Sequence, residues 1–340
     1  MPYVPSWSLA IAVPLIGTLM NRSIFLGLLA IALLPAPAKA WNATGHGVVS
    51  LLAYRNLSDA EQKQVQAILK AHPHFKEFLA RDIPAKANRD EWIVMQASVW
   101  SDWIKGGSRE IKQKYNRSNW HYVNVPVRML DGASDAQREK IEKNIADMTK
   151  DRGLILTMIP NAMAGLKDPR STAEERAVHL CWMLHLIGDL HQPLHAATLF
   201  TKDSLDGDLG GNLFFVEKNS TPTRLHGLWD DALGQFQAID VLDELARLVA
   251  KRSQATPEQI AITDPKIWAE ESSKLAETVG YRFENERLKG EMVSGFLAKP
   301  TSPPKLPEGY EKVMKEVAFA RVALAGSRMA NAIKASLPRE

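Results

Sequence analysis

Apolar residues recur every three or four positions along most of the chain, which is the spacing of amphipathic helices. Two of these stretches carry clear start signals. Ser58 precedes a turn rich in acidic residues, and Thr172 precedes Glu174 and Glu175. Pro193 ends the second stretch. The pattern predicts helices over residues 58–69, 135–148, 153–164, 173–191, 241–252, 265–289 and 309–336.

Three features depart from a regular helical pattern. Residues 203–228 are rich in glycine and aspartate and include the apolar run 213–216, which fits a short strand or an extended loop. Residues 300–307 form a proline-rich connector, and Pro160 should bend the helix that contains it. The chain therefore predicts a mainly α fold, built as a single globular helical domain over residues 41–340.

The first 40 residues have the pattern of an export signal. Two apolar runs, 9–20 and 24–34, are each shorter than the roughly 18–20 residues of a membrane span. The second run ends in a small-x-small sequence at residues 38–40, the pattern that signal peptidase cuts. We predict a signal peptide over residues 1–40 and a mature chain that begins at Trp41.

Two alternatives for this leader stay open. Translation can start at Met20 with the same cleavage site, or the leader can remain as a membrane anchor. Cleavage would leave a secreted or periplasmic protein without stable membrane association, and no protein partner is implied.

Charge and cysteine content further limit the possible binding surfaces and cross-links. The formal charge of the whole chain is +3, and removing residues 1–40 leaves 40 basic against 39 acidic residues. This excludes the broad basic surface that binds duplex nucleic acid, so any such contact must be local. Cys181 is the single cysteine, which excludes an intrachain disulfide. It lies in an apolar stretch and is expected to be a small buried hydrophobe.

Histidine and aspartate at helical spacing give the strongest chemical signal. His185 and Asp189 are four residues apart in one predicted helix, so both side chains project from one face. His226 and Asp230 repeat this spacing, and His195 follows the first pair. One such pair is commonly a surface ion pair, whereas two pairs and a further histidine favour metal binding. Nitrogen and oxygen ligands of this kind are typical of catalytic zinc sites.

Three further candidates lie earlier in the chain. Asp102 stands between two tryptophans and should be half-buried, where a carboxylate needs a metal or a cation as partner. His121 and His46 complete the set.

The remaining histidines are expected to be structural. His72 and His74 lie in a predicted turn, where they should be solvated or near helix carbonyls. His179 points elsewhere on its helix. His191 is expected to hydrogen-bond to a ligand residue rather than to bind metal itself.

Together these segments resemble the zinc-dependent nuclease family of the fungal nucleases S-one and P-one and the plant bifunctional nucleases. The matching stretches are, in order, 41–46, 97–102, 120–124, 185–195, 208–212 and 225–230. The stretch 185–195 is the most specific. Beyond Asp230 the chain matches the family only in its helical pattern. The resemblance implies a mainly α-helical fold with three zinc ions at the bottom of a cleft.

Carried over by position, the resemblance implies nine metal ligands in three sets. The sets are Asp102, His121, His185 and Asp189; Trp41, His46 and Asp189; and His195, His226 and Asp230. Trp41 would bind through its amino group and its carbonyl oxygen. Signal removal would then create one of the ligands, because it exposes that amino group.

The resemblance also implies the reaction, which is hydrolysis of single-stranded DNA or RNA to 5′-phosphorylated products. Asp102 and Lys105 occupy the catalytic positions, with Lys105 near the scissile phosphate, although a solvated surface lysine is the alternative. Tyr122 stands where the family stacks a base, or it is a packed core aromatic. Asn124 replaces an aspartate that can read a base edge, which leaves base preference open.

Two other classes of protein stay open. Zinc-dependent phospholipase C enzymes look similar and cut a lipid phosphodiester, but the stretch 189–195 and the Gly-Gly-Asn sequence at 210–212 favour the nucleases. A lipid enzyme should also show an exposed apolar rim. A non-catalytic zinc-stabilised protein should have saturated ligand sets. The sequence does not settle DNA against RNA, or whether 3′ phosphates are also removed.

Overall fold

Helices make up most of the described chain, which confirms the predicted mainly α class. The computed structural model describes residues 41–148, 152–236, 238–252 and 255–338. The helices are α1 Ala43–Arg55, α2 Asp59–Leu69, α3 Arg89–Trp103, α4 Arg109–Tyr115, α5 Asp135–Met148, α6 Ile155–Lys167, α7 Ala173–Leu190, α8 Leu225–Asp230, α9 Ile239–Arg252, α10 Pro257–Ala261, α11 Pro265–Leu275 and α12 Tyr310–Ser336. The predicted signal peptide, residues 1–40, lies outside the described residues.

Helix α7 carries two of the site residues on a segment that is buried. Thr172 caps it reciprocally: its hydroxyl oxygen accepts from the backbone N–H of Glu175 at 3.2 Å, and the Glu175 carboxylate accepts from the backbone N–H of Thr172 at 2.8 Å. Residues 180–190 are buried on every side, and α3 and α6 pack against the helix. Each buried leucine or isoleucine there stabilises the fold by about 1.5–3 kcal/mol. Cys181 is among these buried residues, as expected.

Helix ends follow the sequence signals closely in most places. α2, α5, α7, α9 and α12 begin and end within two residues of their predicted bounds. α6 begins and ends slightly later than predicted and contains Pro160. In the part of the chain that the structure describes, no helix has the length and apolarity required to cross a bilayer.

Short strands flank the loops that carry the site. They are β1 Pro126–Met129, β2 Thr198–Thr201, β3 Phe214–Lys218, β4 Thr221–Arg224, β5 Arg282–Phe283, β6 Glu286–Arg287 and β7 Glu291–Met292. β1 and β2 pair in parallel with Pro126 opposite Thr198. Just before this pair, the backbone N–H of Val123 donates to the carbonyl of His195 at 2.9 Å. The pairing therefore holds the loop after His121 against the loop after α7.

The apolar run predicted as a strand or an extended loop forms β3. It is the central strand of a three-stranded sheet in which β4 and β7 both run antiparallel to it. Its first residues, Phe214 to Val216, are buried, which accounts for the continuous apolar run.

The predicted helix over residues 265–289 is wrong in its second half. α11 ends at Leu275, and after one wide helical turn the chain forms the hairpin of β5 and β6. Glu284 and Asn285 at the tip of this hairpin have φ values of 50° and 68°, which no α-helix accepts. Tyr281 and Leu288 are buried at the base of the hairpin, so burial rather than helical periodicity explains the apolar residues there.

Candidate metal centre

His185 and Asp189 lie one turn apart on the same face of α7, and both are fully buried. The Nδ1 atom of His185 donates to the carbonyl oxygen of Ser98 on α3 at 2.8 Å. The other ring nitrogen, Nε2, then points to the Oδ2 atom of Asp189 at 3.2 Å. The backbone of α3 thus fixes which nitrogen of His185 is available as a ligand.

A first group of possible ligands joins Asp102 at the end of α3, His121 before β1, and His185. The Nδ1 atom of His121 lies 3.0 Å from Nε2 of His185 and 2.9 Å from Oδ2 of Asp189. The Oδ1 atom of Asp102 is 3.9 Å from Nε2 of His185. A metal ion with ligand distances of about 2.0–2.2 Å can contact donor atoms up to about 4 Å apart, so these separations are compatible with one shared ion.

A second group shares His185 with the first and adds Asp189 from α7 and His46 from α1. The Nε2 atom of His46 lies 3.2 Å from Oδ1 of Asp189, and the His46 and His185 rings stack with centroids 4.1 Å apart. Gly188 makes this approach possible, because a Cβ atom there would lie 2.8 Å from Nδ1 of His46. Asp189 therefore faces both groups, with Oδ1 toward His46 and Oδ2 toward His185 and His121.

A third group joins His195, His226 and Asp230. The Nε2 atoms of the two histidines are 3.0 Å apart. The Oδ1 atom of Asp230 lies 3.9 Å from Nε2 of His195, and its Oδ2 atom lies 3.7 Å from Nε2 of His226. The side-chain amide of Gln192 donates to Oδ1 of Asp230 at 2.7 Å. This amide holds the carboxylate in place beside the two rings.

Several buried atoms in these groups have no hydrogen-bond partner among the described residues. The clearest are Nδ1 of His46 and Nε2 of His121, while Nε2 of His46 and Oδ1 of Asp189 make only their 3.2 Å ion-pair contact with each other. Buried polar atoms are normally satisfied, and neutral imidazole nitrogens with carboxylate oxygens are ligands that divalent cations accept. The three groups of histidine and aspartate found in the described chain could therefore hold metal ions.

Burial keeps two of these histidines in the neutral form that binds metal. It lowers the pKa of His226 to about 3, and His195 adds to this effect. Burial and the charge of Lys105 lower the pKa of His121 to about 3. His185 differs: although burial opposes protonation, the carboxylates of Asp189 and Asp102 raise its pKa. The centre of the site thus attracts positive charge.

Lys105 is mostly shielded from solvent beside Asp102. Its Nζ atom lies 2.6 Å from Oδ1 of Asp102, and its side chain is only 10% exposed. Burial opposes ionisation of Asp102, but Lys105 and His185 hold the pKa of that carboxyl below its usual range.

The start of α1 is anchored to the end of α8. Trp41 is fully buried, and the backbone N–H of Asn42 donates to the carbonyl of Asp230 at 3.1 Å. The side-chain amide of Asn42 donates to Asp231 at 2.8 Å and to the carbonyl of Gly234 at 2.7 Å. Asp231 therefore holds the segment that begins with Trp41.

Tyr122 and Asn124 are half-buried in the loop that follows His121. Gly153, at φ +86°, passes against the ring and carbonyl of Tyr122, where a Cβ atom would collide. The backbone N–H of Asn124 donates to the carbonyl of Arg152 at 2.7 Å. The 152–153 backbone thus supports this loop at the edge of the first group.

The expectation for His72 and His74 is wrong, because both are buried. The indole N–H of Trp100 donates to Nδ1 of His74 at 2.9 Å, and the backbone N–H of His74 donates to Nδ1 of His72 at 3.1 Å. Their rings pack against Trp100, and that of His74 also against Trp103. Two histidines in a turn gave no sign that α3 would cover them.

The expected hydrogen bond from His191 to a ligand residue is also wrong. Its Nδ1 atom donates to the carbonyl of Ile187 at 2.8 Å, and its Nε2 atom accepts from Arg328 at 3.1 Å. Arg321 donates to the His191 carbonyl at 3.2 Å. His191 therefore ties the end of α7 to α12.

Sequence reasoning missed the role of Asp208. Its Oδ1 atom accepts from the backbone N–H of Leu199 at 2.8 Å and from the hydroxyl of Tyr281 at 3.1 Å. It precedes Gly210, whose φ of +65° and carbonyl position allow a 2.6 Å hydrogen bond from Nδ1 of His226. The Gly-Gly-Asn sequence was visible, but its link to His226 depends on the fold.

The fold and site together define a helical protein with three clustered groups of histidine and aspartate that could hold metal ions. Residues 41–338 match the family model of the S1/P1 Nuclease. The chain therefore belongs to the S1/P1 nuclease family, a family of metal-dependent enzymes, and the resemblance drawn from the sequence is confirmed.

Curated relatives agree with this family at low identity. Endonuclease 2 of Arabidopsis thaliana is 24% identical over 208 residues, which cover 59% of this chain and 58% of that protein. Endonuclease 4 of the same plant is 25% identical over 248 residues, which cover 71% of this chain and 70% of that protein. The match thus spans under two thirds of the length of Endonuclease 2.

Proposed function

We propose that this protein is a zinc-dependent endonuclease that hydrolyses phosphodiester bonds of single-stranded DNA and RNA. The observation that carries the proposal is the convergence of buried histidines and aspartates into three groups in a chain of the S1/P1 nuclease family. Such a centre neutralises the charge of a phosphodiester locally, although the mature surface is nearly neutral as a whole.

Three zinc ions per chain account for the ligand geometry. The proposed sets are Asp102, His121, His185 and Asp189; Trp41, His46 and Asp189; and His195, His226 and Asp230. Nitrogen and oxygen donors in groups of three or four are the ligands of catalytic zinc, which keeps a position for water. When bound, the ions supply Lewis acidity and an activated water for attack on phosphorus.

The protein's own residues position the phosphate. The carboxylate of Asp102 and the ammonium of Lys105 lie 2.6 Å apart at the edge of the first group. Lys105 can donate hydrogen bonds to a phosphate oxygen there and stabilise the negative charge that builds up during attack. The expected products carry 5′ phosphates.

Tyr122 and Asn124 would bind a base of the strand. The loop that carries them directly follows His121, so a base placed there lies near the reacting phosphate. Base stacking on an aromatic ring needs a base free of a duplex and contributes about 1–3 kcal/mol. The neutral Asn124 amide both donates and accepts hydrogen bonds, which suits more than one base.

Signal cleavage before Trp41 would complete the second ligand set. The proposed mature domain is residues 41–340, exported to the periplasm or the medium. The hydrogen bond from Asn42 to Asp230 already brings this end of the chain to the site. Protein that begins at Trp41 should therefore hold more zinc than protein that keeps one extra residue, Ala40. Equal zinc content in the two forms would contradict a role for the Trp41 amino group.

The substrate class is tested with a panel of phosphodiesters. Mature protein is incubated with single-stranded DNA, single-stranded RNA, duplex DNA and phosphatidylcholine, with and without a chelator. We expect chelator-sensitive cleavage that is faster for the single strands than for the duplex. Hydrolysis of phosphatidylcholine alone would make the protein a phospholipase C and overturn the nuclease proposal.

A further inference from the structure

An apolar groove of about 370 Å³ lies between α1 and α3 and reaches the first ligand group. Aromatic rings supply much of its wall, and one amide and one carboxylate lie among the apolar side chains. These lining residues are Phe78, Trp92, Trp103, Phe236, Gln96 and Asp102. We call this surface the α3 groove.

The α3 groove is continuous with the proposed catalytic centre. Asp102 lines the groove and also belongs to the group that it forms with His121 and His185. From Trp92 to Asp102 the wall follows α3 for ten residues, or about 15 Å at the rise of an α-helix. A strand whose phosphate lies at the ligand groups can therefore extend into the groove without leaving the protein surface.

Two aromatic residues of the groove are held in fixed positions. The ring of Phe78 stacks on that of Trp103, with centroids 4.7 Å apart. Phe236 is tied to α1 at both backbone groups: its N–H donates to the hydroxyl of Thr44 at 2.8 Å, and its carbonyl accepts from that hydroxyl at 3.1 Å. The residue remains 42% exposed. An exposed ring on an anchored backbone is a ready stacking surface, because little entropy is lost when a ligand covers it.

We propose that the α3 groove binds a nucleobase of the substrate strand adjacent to the cleaved phosphate, by stacking against its aromatic wall. This inference rests on the proposed nuclease function. Flat aromatic faces match the π-faces that every base offers regardless of sequence. The amide of Gln96 can both donate to and accept from a base edge. A lipid acyl chain would use neither the flat faces nor the amide.

This subsite is distinct from the one proposed at Tyr122. Tyr122 follows His121 in the loop before β1, and as far as the described residues go it does not line the α3 groove. Two stacking surfaces on different elements would hold the two nucleotides that flank the scissile bond. Each subsite should therefore respond to a different position of the substrate.

An abasic scan tests the subsite. A single-stranded DNA of fixed sequence with one cleavable bond receives one abasic nucleotide, moved stepwise across that bond. For the wild-type protein we expect kcat/KM to fall about 5- to 100-fold at the position whose base occupies the groove. For Phe236→Ala, the abasic nucleotide at the same position should lower kcat/KM by less than about twofold, because the ring that stacks on that base is absent.

Matched variants separate stacking from folding. Phe236→Tyr keeps an aromatic ring and should restore the abasic effect, whereas Phe236→Leu keeps an apolar side chain and should not. Ile267→Ala removes another apolar side chain, 40% exposed, from α11, which contributes no described residue to the groove. It should leave the abasic profile unchanged.

The outcomes distinguish this inference from the proposed function. An identical abasic profile for wild type and Phe236→Ala, with cleavage intact, overturns the groove subsite and leaves the nuclease standing. If Phe236→Leu and Phe236→Ala lose more phosphatidylcholine hydrolysis than DNA cleavage, the groove binds an acyl chain and the inference is overturned. Wild-type protein that cleaves no single-stranded DNA overturns both proposals together.

Discussion

The Nε2 atoms of His195 and His226 face each other at 3.0 Å, while the Nδ1 atom of each ring lies within hydrogen-bond distance of a backbone carbonyl. The carbonyls belong to His121 and Gly210, at 2.8 and 2.6 Å. Because each carbonyl takes the ring proton, both Nε2 atoms present lone pairs to the same point. Two lone pairs at this distance repel unless a cation lies beside them, so the pair is arranged for a metal ion.

Replacing His226 with alanine should remove metal from the third group alone. We expect zinc content, measured by plasma mass spectrometry, to fall by one ion per chain and cleavage of single-stranded DNA to fall more than about 100-fold. The control is His179→Ala, since His179 belongs to none of the three groups found among the described residues. Unchanged zinc content in His226→Ala would contradict the assignment of this ligand.

Two helical glycines beside the ligands should respond differently to the same substitution. Alanine is favoured over glycine in a helix by about 1 kcal/mol, so helix propensity favours both changes. A Cβ atom on Gly188 would lie 2.8 Å from Nδ1 of His46, whereas one on Gly227 meets no described atom within 4 Å. We expect Gly188→Ala to lose activity and zinc, and Gly227→Ala to keep both. Equal activity in the two variants would argue against the close approach of α1 to α7.

Asp208 should position His226 without touching substrate. Asp208→Ala removes the Oδ1 atom that accepts hydrogen bonds from Leu199 and Tyr281, and should loosen the carbonyl of Gly210. Loss of such support typically weakens metal affinity 10–100-fold. Zinc titration with a competing chelator measures this change. Asp206→Ala, in the same loop, is the control because the hydrogen bond that Asp206 accepts from Asn144 is exposed. Similar affinities for both variants would remove the proposed role.

Two pairs of candidate ligands could be predicted from the sequence because their spacing is local. His185 with Asp189, and His226 with Asp230, each depend on one turn of helix, which their neighbours specify. The resemblance supplied His46, Asp102 and His121, whose meeting with α7 is a matter of tertiary packing. No pattern in the sequence alone could bring these segments together.

What the sequence missed depends on contacts between distant segments. Gln192 lies 38 positions from Asp230 and His191 lies 137 from Arg328, so neither partnership shows in local spacing. The helix predicted over residues 265–289 failed because the burial of Tyr281 and Leu288 imitates helical periodicity. The turn at Glu284 and Asn285 uses left-handed backbone without glycine or proline to mark it.

Acid should destabilise the protein partly through His72. Burial, with a further contribution from His74, lowers the pKa of His72 to about 3. The unfolded chain binds a proton at this residue below about pH 6.5, while the folded chain does so only near pH 3. The folded protein therefore loses stability as the pH falls from about 6.5 to about 3. The free energy of unfolding decreases by up to about 1.4 kcal/mol per pH unit over this range.

His72→Asn isolates this contribution, because the asparagine oxygen can still accept from the backbone N–H of His74. Urea unfolding at several pH values should show a shallower loss of stability between pH 6.5 and 3 in the variant than in the wild type. Parallel curves would mean that His72 is protonated in the folded protein, contrary to its burial.

The most direct test of the central claim is end-group analysis of the cleavage products. Mature protein beginning at Trp41 is incubated with a single-stranded oligonucleotide, and the new ends are identified by mass spectrometry with and without a chelator. The account predicts 5′-phosphate and 3′-hydroxyl ends that disappear when metal is removed and return when zinc is restored. Products with 3′-phosphate ends, or cleavage that persists without metal, would contradict it.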